Sequence, residues 1–320
     1  MSLDQASGWD DEIVHGLAAP PLSVQTILYG HSQADLDRFV RGLAAAVRVA
    51  QRNGSLGSVG IAIGDCSPEP VLDNDRVSSL EEQLGDLGIR RFAYRFFGEN
   101  LGSAGGHNAL FEAFGGELVL IVNPDVYALP GLLCPLFERI GEPGAGIVEA
   151  RQVPLEHPKA FDHDTGDTSW ASTACALVHG DVISSLGGFD AQSFFLYCDD
   201  VDFSWRARLA GRRVIYEPTA CVFHDKRLDR DGQVQAGDAE VYYSAEAALM
   251  MAWKYSRPDL VDTWSEGLLT TGLPSHTRAV ETFRQRQAIG QLPEQLDAEG
   301  DVAQFVGYAY ARHRFAYDDD

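Results

Sequence analysis

Short apolar runs alternate with segments of helical spacing along the first half of the chain. The runs Val24–Tyr29, Val59–Ile63 and Glu117–Val122 predict buried β-strands, because each is short and bounded by glycine or polar turn residues. The segment Ala34–Asn53 predicts a long helix that Gly54 ends. Its apolar residues recur on one helical face: Leu36, Phe39, Val40, Leu43, Val47 and Ala50. This alternation predicts an α/β fold built on a sheet with substantial parallel content.

The pattern continues through the rest of the chain. Further strands are predicted over Ile89–Phe96, Gly146–Glu149 and Cys175–Val178. Longer helices are predicted over Ala104–Phe114, after an opening at Pro130, and over the apolar segment Val241–Tyr255. Two short helices are predicted, one before Gly88 and one that Gly211 closes. Later segments are helical but more polar. We therefore predict a lead-in segment (1–21), a main domain (22–227) and a helical C-terminal extension (228–320) that ends in a solvated acidic tail.

Polar side chains follow the apolar strands at the points where those strands end. Tyr29 ends the first strand, Asp65 follows the second, and Asn123 and Asp125 follow the strand over Glu117–Val122. In parallel α/β sheets, ligands bind beyond the carboxyl ends of the strands. The sequence therefore predicts a ligand site at that edge of the sheet.

Composition narrows the class of partner. The 320-residue chain has a formal net charge of −22, from 25 basic and 47 acidic residues. No broad basic surface is available to offset phosphate charge, so nonspecific nucleic-acid binding is excluded and electrostatic binding to anionic membranes is disfavoured. An anionic small ligand stays open, with local help from a metal, an arginine or a helix N-terminus.

Cellular location is predicted from cysteine usage and from apolar run lengths. The five cysteines are odd in number and lack C-x-x-C spacing, so we expect reduced thiols in a cytoplasmic protein. No apolar run reaches membrane-spanning length, and the first twenty residues lack a signal-peptide pattern.

The apolar residues of Val241–Tyr255 leave three roles open: core packing, which is the default, a homodimer contact, and peripheral contact with the inner face of the plasma membrane.

Three carboxylates fall within four positions, at Asp199, Asp200 and Asp202, after an aromatic-rich segment. Carboxylates at a helix entrance accept hydrogen bonds from its exposed N–H groups, or they serve an active site that needs an ionised base. Asp202 and Arg206 are four residues apart, which also suits an ion pair on a helix. The residues alone leave capping and catalysis open.

Other polar segments also allow two interpretations each. Glu99–Asn108 is a glycine-rich turn that matches neither the G-x-G-x-x-G fingerprint nor a Walker A loop, so tight packing and a phosphate cradle are evenly balanced. Asn123 and Asp125 suit an Asx turn or a divalent-cation site, with the turn favoured. His224, after an apolar run, is more often a structural residue than a ligand.

Taken in chain order, these segments resemble family 2 glycosyltransferases of the GT-A fold, and most of all the bacterial rhamnosyltransferase-like branch. The matching segments are Thr26–Tyr29, Ile63–Ser67, Asn100–Asn108, Asn123–Val126, Leu186–Asp190, Phe194–Asp202 and Val222–His224. The match covers roughly residues 22 to 225 and fades beyond Lys226. The resemblance implies a mixed, mostly parallel sheet flanked by helices, the fold of nucleotide-diphospho-sugar transferases.

The resemblance also implies roles for individual residues. Asp200 aligns with the catalytic base, and Asp199 beside it caps or orients. Asp125 would bind the divalent ion, Mn²⁺ or Mg²⁺, that bridges the donor diphosphate, and His224 resembles the additional metal ligand of some relatives. The implied donor-binding residues are Tyr29 and Asp65 at the pyrimidine base, together with Asn100, Gly102, Asn108, Asn123 and Arg206.

Several departures from the family pattern bear on these roles. Asn123 stands where many relatives carry Asp, which leaves one carboxylate in the metal motif. Asp199 replaces the usual Glu before the catalytic Asp, so the base assignment between Asp199 and Asp200 stays open. The segments around Tyr29 and Asp65 also differ from the usual motifs, so altered contacts to the nucleotide base are expected.

The leading hypothesis is an inverting, metal-dependent glycosyltransferase of cell-surface polysaccharide biosynthesis. Its donor would be dTDP-rhamnose or, next, a UDP-sugar, and its acceptor a hydroxyl of a glycan or lipid-linked precursor. A single catalytic base is sufficient for this transfer, because a metal-bound diphosphate leaves without a protonating acid. A glycoside hydrolase instead needs a second, acidic carboxyl to protonate its leaving oxygen. The alternative is a noncatalytic nucleotide-sugar or glycan-binding module. A nucleotidyltransferase is a third hypothesis, which the lack of a glycine-rich basic signature near the N-terminus disfavours.

Overall fold

A mixed β-sheet forms the centre of the molecule. The computed structural model describes residues 21–226, 228–231, 236–307 and 310–311, so the predicted lead-in over residues 1–20 and the acidic tail over 318–320 lie outside the described residues. The strands are β1 (Leu22–Leu28), β2 (Val59–Asp65), β3 (Arg91–Phe96), β4 (Leu118–Val122), β5 (Val126–Ala128), β6 (Ala145–Val153), β7 (Cys175–His179) and β8 (Arg213–His224). Their order in the sheet is β3-β2-β1-β4-β7-β6-β8-β5.

Helices connect the strands and continue after the last of them. They are α1 (Gln33–Arg52), α2 (Asn74–Asp86), α3 (Gly102–Phe114), α4 (Leu133–Ile140), α5 (Gly180–Ser185), α6 (Asp199–Leu209), α7 (Asp238–Lys254), α8 (Pro258–Thr270) and α9 (Pro274–Ala288). Within the part of the chain that the structure describes, none of them has the length and apolar character needed to cross a membrane.

Strand direction brings the predicted ligand-binding ends together. Strands β1 to β4 are parallel, β7 is antiparallel to β4, and β6 and β8 run parallel to each other and antiparallel to β7. The carboxyl ends of β1, β2, β4, β6 and β8 therefore share one edge with the amino end of β7. We call this side of the sheet the C-terminal edge. The mixed, mostly parallel sheet predicted from the sequence is confirmed.

The long predicted helix corresponds to α1. Its start is fixed by a capping box, in which Ser32 Oγ accepts from the Asp35 backbone N–H at 3.2 Å and Asp35 Oδ2 accepts from the Ser32 N–H at 3.0 Å. Leu36, Phe39 and Val40 are buried against the sheet, as their spacing predicts. Full burial of one such side chain stabilises the fold by about 1.5–3 kcal/mol.

The predicted start of one helix is wrong, because the helix expected to open at Pro130 begins later in the structure. Strand β5 keeps the chain extended through Ala128, because it pairs with β8 in the register Ala128↔Val222. The following residues form a turn in which the Leu132 N–H donates to the Leu129 carbonyl at 3.0 Å. Helix α4 begins only at Leu133, so Pro130 belongs to the turn and not to the first helical turn.

The helices after residue 236 pack against α6. Met250 and Met251 of α7 share a buried apolar cluster with Phe194, Trp205 and residues of α8 and α9. Core packing, one of the three roles left open for the apolar residues of α7, is therefore what the structure gives. The homodimer and membrane contacts stay predictions.

Candidate active site

A cavity of about 170 Å³ opens at the C-terminal edge of the sheet. It lies where the ends of β6 and β8 meet the start of α6. The predicted site residues on its wall are Asn123, Asp199, Asp200 and His224. Other charged and aromatic residues complete the wall, among them Glu149, Gln152, Glu156, His157, Lys159, Trp170, Lys226 and Tyr310.

The two predicted metal ligands come from distant parts of the sequence and meet at this edge. Strand β5 starts directly after Asp125 and pairs antiparallel with the end of β8, in the register Val126↔His224. The Nε2 atom of His224 lies 3.4 Å from Oδ2 of Asp125. The Nδ1 atom of His224 lies 2.7 Å from the side-chain oxygen of Gln152. A proton on Nδ1 that is donated to Gln152 leaves the lone pair of Nε2 facing Asp125.

This pair fits a divalent cation as a partial ligand set. A lone pair and a carboxylate oxygen at this separation repel each other unless a proton or a cation lies between them. Burial raises the pKa of Asp125, whereas a His224 that is protonated at Nε2 in place of a cation donates to this carboxylate and lowers the pKa below its usual value. Among the described residues, no group of three or more His, Cys, Asp or Glu can hold a metal. An ion here would take its remaining ligands from substrate phosphate and water, as Mg²⁺ commonly does.

The acidic pair occupies the first turn of α6. Asp199 is only 5% exposed, it accepts a hydrogen bond from the Ser103 hydroxyl, and its Oδ2 has no hydrogen-bond partner among the described residues. Asp200 is half-buried, and its Oδ1 accepts from the Val201 N–H at 2.9 Å. Both carboxylates line the cavity, so capping and chemistry are compatible here rather than exclusive.

Burial shapes the ionisation of this acidic pair. It raises the pKa of Asp199 to about 7, and the neighbouring charge of Asp200 adds to the effect. Burial also raises the pKa of Asp200, opposed by the Val201 N–H and by the charge of Lys159. Two adjacent carboxyls in one buried site therefore hold a proton to higher pH than isolated ones, which suits proton transfer near neutrality.

The backbone that leads into α6 is unusual. Tyr197 and Cys198 both adopt the left-handed conformation, with φ of 67° and 58°, although neither is glycine. Such residues cost free energy and persist only where the surroundings impose them. One constraint is visible: the Phe195 carbonyl accepts from the Ser103 N–H at 3.2 Å, and it lies against Gly102, where a Cβ would come within 2.2 Å of it. Helix α3 thus fixes the entry to α6.

This contact gives the glycine-rich segment a packing role. Gly102 has φ of +69°, and its N–H donates to the Asn100 side chain at 3.1 Å. Gly106 lies so close to Ile27 that a Cβ would come within 2.9 Å of it. Donor binding by Asn100 and Gly102 stays a prediction.

The predicted base-binding residues lie at the ends of β1 and β2. Tyr29 is 55% exposed, whereas Asp65 is fully buried. The carboxylate of Asp65 accepts from the backbone N–H groups of Ser67 and Val71, at 2.9 and 2.8 Å, and from the Tyr94 hydroxyl. Asp65 therefore organises the loop after β2 in this conformation, and neither residue lines the cavity.

Of the predicted donor-binding residues, only Asn123 lines the cavity, and Asn108 and Arg206 are engaged elsewhere. Asn108 clamps the turn at Phe189: it donates to the Phe189 carbonyl and accepts from its N–H, both at 2.8 Å. Arg206 donates to Asp202 at 2.7 Å and to the carbonyls of Leu186 and Gly188, at 3.0 and 2.9 Å. The Asp202–Arg206 ion pair is thus confirmed. These hydrogen bonds give both Asn108 and Arg206 positioning roles in the structure.

Sequence reasoning missed an ion pair in the lining of the cavity. The ammonium of Lys159 lies 2.9 Å from Glu149 Oε2, and both side chains are almost fully buried. It also donates to the Trp170 carbonyl at 3.2 Å. A glutamate within an apolar strand was a usable signal for Glu149, because charged residues are rarely buried without a partner. Lys159 lies in an irregular segment whose sequence carries no such signal.

Comparison of folds identifies the architecture. A mannosyltransferase from Pyrobaculum calidifontis, solved in complex with GDP-Man and Mn²⁺, superposes with a TM-score of 0.56 at 14% identity, over 85% of this chain and 81% of its own. The chain has the GT-A fold. GalNAc-T7, solved with UDP, GalNAc and Mn²⁺, superposes with a TM-score of 0.55 at 11% identity, over 88% of this chain and 56% of its own.

Sequence relatives of the chain are named glycosyltransferases. An N-acetylglucosaminyl-diphospho-decaprenol L-rhamnosyltransferase of Mycobacterium tuberculosis is 27% identical over 165 residues, which are 40% of this chain and 52% of the relative. A pre-mycofactocin glycosyltransferase of the same organism is 29% identical over 147 residues, 39% of this chain and 30% of the relative. The chain thus spans about half or less of these relatives' length. No protein-family model matches it. The resemblance to rhamnosyltransferase-like enzymes is confirmed.

Proposed function

We propose that this GT-A chain is an inverting, metal-dependent glycosyltransferase that uses a pyrimidine nucleotide-sugar. The observation that carries the proposal is the meeting of two chemistries at the C-terminal edge. The acidic pair Asp199–Asp200 and the ligand His224 line one cavity, and Asp125 lies beside His224. Solved GT-A relatives hold a nucleotide or nucleotide-sugar with Mn²⁺.

The proposed roles follow from burial and charge. Asp200 takes the proton of the acceptor hydroxyl, for which its raised pKa makes it a stronger base than an exposed aspartate. Asp199, held by Ser103, keeps the start of α6 in place and shares the charge of the pair. A divalent ion held by Asp125 and His224 would neutralise the charge that grows on the leaving diphosphate. Attack from the side opposite the leaving group inverts the configuration of the sugar.

The donor and acceptor classes are proposed from the relatives. A rhamnosyl donor such as dTDP-rhamnose comes first, and UDP-sugars come next, because a matching relative is named an L-rhamnosyltransferase. That name also supports a lipid-linked acceptor. We further propose that the protein works in the cytoplasm, at the inner face of the plasma membrane where lipid-linked acceptors reside.

The test measures release of nucleoside diphosphate from a panel of dTDP- and UDP-sugars, with acceptor and with Mn²⁺ or Mg²⁺. Asp200→Asn is expected to lose at least about 100-fold in kcat, as general-base removal does, while keeping its melting temperature. Asp125→Ala is expected to lose metal stimulation. Full turnover by Asp200→Asn would remove this residue as the base, and Asp199→Asn would then be the next variant to assay.

A noncatalytic nucleotide-sugar-binding module is the second candidate. The engaged state of Asp65 favours it, because this carboxylate is already hydrogen-bonded within its own loop. The metal pair contains only one carboxylate, Asp125, which also favours a binding module. Calorimetry separates the two functions: tight donor binding, with neither transfer nor hydrolysis across an acceptor panel, would support the binding module.

A further inference from the structure

The buried Glu149–Lys159 pair has no assigned part in binding or proton transfer, although the charge of Lys159 lowers the pKa of Asp200. The Lys159 ammonium and the Glu149 carboxylate are 2.9 Å apart, and these side chains are 4% and 1% exposed, respectively. Such a pair is weak support for stability, because removing two charges from water costs about as much as their attraction returns. Its place on the wall of the cavity that holds Asp199 and Asp200 suggests a role in binding.

The hydrogen-bonding capacity of the pair is only partly used. The ammonium of Lys159 has three N–H donors, and the described contacts account for Glu149 and the Trp170 carbonyl. The face of the Trp170 ring lies 3.2 Å from the same ammonium, so this cation is held firmly in place. In the lining of the same cavity, the buried Asp199 Oδ2 has no partner among the described residues. A buried polar atom without a partner at the wall of a cavity indicates that a polar group occupies the cavity.

The size and lining of the cavity narrow what that group can be. A volume of about 170 Å³ is below the roughly 300–1,000 Å³ of pockets for drug-sized ligands, so a small unit enters. The wall combines charged groups with the aromatic rings of Trp170 and Tyr310, whose centroids are 4.8 Å apart. A single sugar ring presents both polar hydroxyls and an apolar C–H face, and it suits such a wall.

Resting on the proposed function, we infer that Glu149 and Lys159 form an anchor for two adjacent hydroxyls of the acceptor sugar. An ammonium only donates and a carboxylate only accepts, so one hydroxyl oxygen accepts from Lys159 while its neighbour donates to Glu149. A vicinal diol matches this paired arrangement, whereas an isolated alcohol satisfies one member only. The anchor turns a third hydroxyl of the same ring towards Asp200. The acceptor class is therefore a neutral sugar with a vicinal diol.

The test compares a diol acceptor with its monodeoxy analogues, using the unmodified chain and Lys159→Met. Donor hydrolysis, in which water is the acceptor, is measured in the same reactions. The unmodified chain should show a KM for the deoxy analogues about 10- to 100-fold higher than for the diol, as loss of a charged hydrogen bond implies. Lys159→Met should bind both acceptors equally weakly, with an unchanged donor KM. Glu149→Gln should raise the KM of the diol in the same way.

Lys254→Met is the matched control, because Lys254 is also buried and ion-paired, with Asp190 and Asp202, but does not line the cavity. It should lower stability and leave the ratio of transfer to hydrolysis unchanged. If Lys159→Met keeps the preference for the diol, the inference is overturned while the proposed function stands. Absence of both transfer and hydrolysis in the unmodified chain would overturn the proposed function, and the inference with it. Should a variant fail to fold, equal KM values for the diol and its deoxy analogues on the unmodified chain would still overturn the inference.

Discussion

Replacement of Gly102 by alanine tests how α3 positions the acidic pair. Gly102 has φ of +69°, and a Cβ there would lie 2.2 Å from the Phe195 carbonyl oxygen and 2.9 Å from Phe195 Cδ2. The same carbonyl accepts a hydrogen bond from the Ser103 N–H. Four residues later in the chain, Asp199 begins α6. Any displacement of Phe195 is therefore passed towards the residues proposed to carry the chemistry.

Two costs follow from this geometry. Left-handed backbone costs an L-residue about 1–2 kcal/mol, which lowers the free energy of unfolding. The Cβ–oxygen contact must also lengthen to at least about 3.0 Å, so Phe195 and Gly102 must separate by about 0.8 Å, and a misplacement of about 1 Å can cost about 100-fold in rate. We expect Gly102→Ala to lose about 10- to 100-fold in kcat.

Gly211 supplies the matched control for this experiment. It has φ of +78°, and a Cβ there would meet nothing within 4 Å, so Gly211→Ala imposes the backbone strain without the clash. Urea unfolding and donor turnover are measured for both variants. Both should lose about 1–2 kcal/mol of stability, whereas only Gly102→Ala should lose kcat. Equal loss of kcat in the two variants, or none in either, would refute the positioning role of the Gly102–Phe195 contact.

Three further predictions concern charge. Lys254→Met should destabilise the chain by about 3–5 kcal/mol in urea unfolding, because Asp202 is fully buried and loses a partner at 2.6 Å; an unchanged midpoint would contradict this. For Asp199, the pKa rises from 3.8 to about 7, so the folded chain binds this proton more tightly and stability falls as pH rises through that window. Asp199→Asn should therefore be more stable than the unmodified chain at pH 8 but not at pH 4, and equal stabilities at pH 8 would contradict it. Asp125→Ala should abolish the rise in melting temperature that Mn²⁺ with UDP gives the unmodified chain, which thermal-shift measurements can check.

The parts of the fold that were predictable are those with local signals. Strand β4 is a continuous apolar run and β2 is nearly one, because both of their faces are buried, and the polar residue at the end of each marks the C-terminal edge. The capping potential of Asp199 and Asp200 is likewise local to α6. These signals were sufficient to place Asp125 at this edge, whereas Asp200 was assigned to the same site only through the family resemblance.

The remainder depends on contacts between segments distant in sequence. Strand β5 has only three residues and exists because β8 pairs with it, while β8 itself contains Pro218, which interrupts its apolar pattern. Lys159 is placed by Glu149 and Trp170, both outside its own segment. Arg206 is engaged by the carbonyls of the loop before α6. No spacing rule within one segment reports such partners.

The acidic cluster at α6 faces in two directions, and this links the C-terminal helices to the proposed chemistry. Asp199 and Asp200 line the cavity, whereas Asp202 accepts from Arg206 on its own helix and from Lys254 and Tyr255 at the C-terminal end of α7. Without the C-terminal helices, Asp202 would lose two of these partners, and the start of α6 would lose the packing that holds it. The resemblance to the family fades beyond Lys226, but the physical unit that positions Asp200 extends past that point. The predicted boundary at residue 227 therefore separates two sequence patterns that share one core.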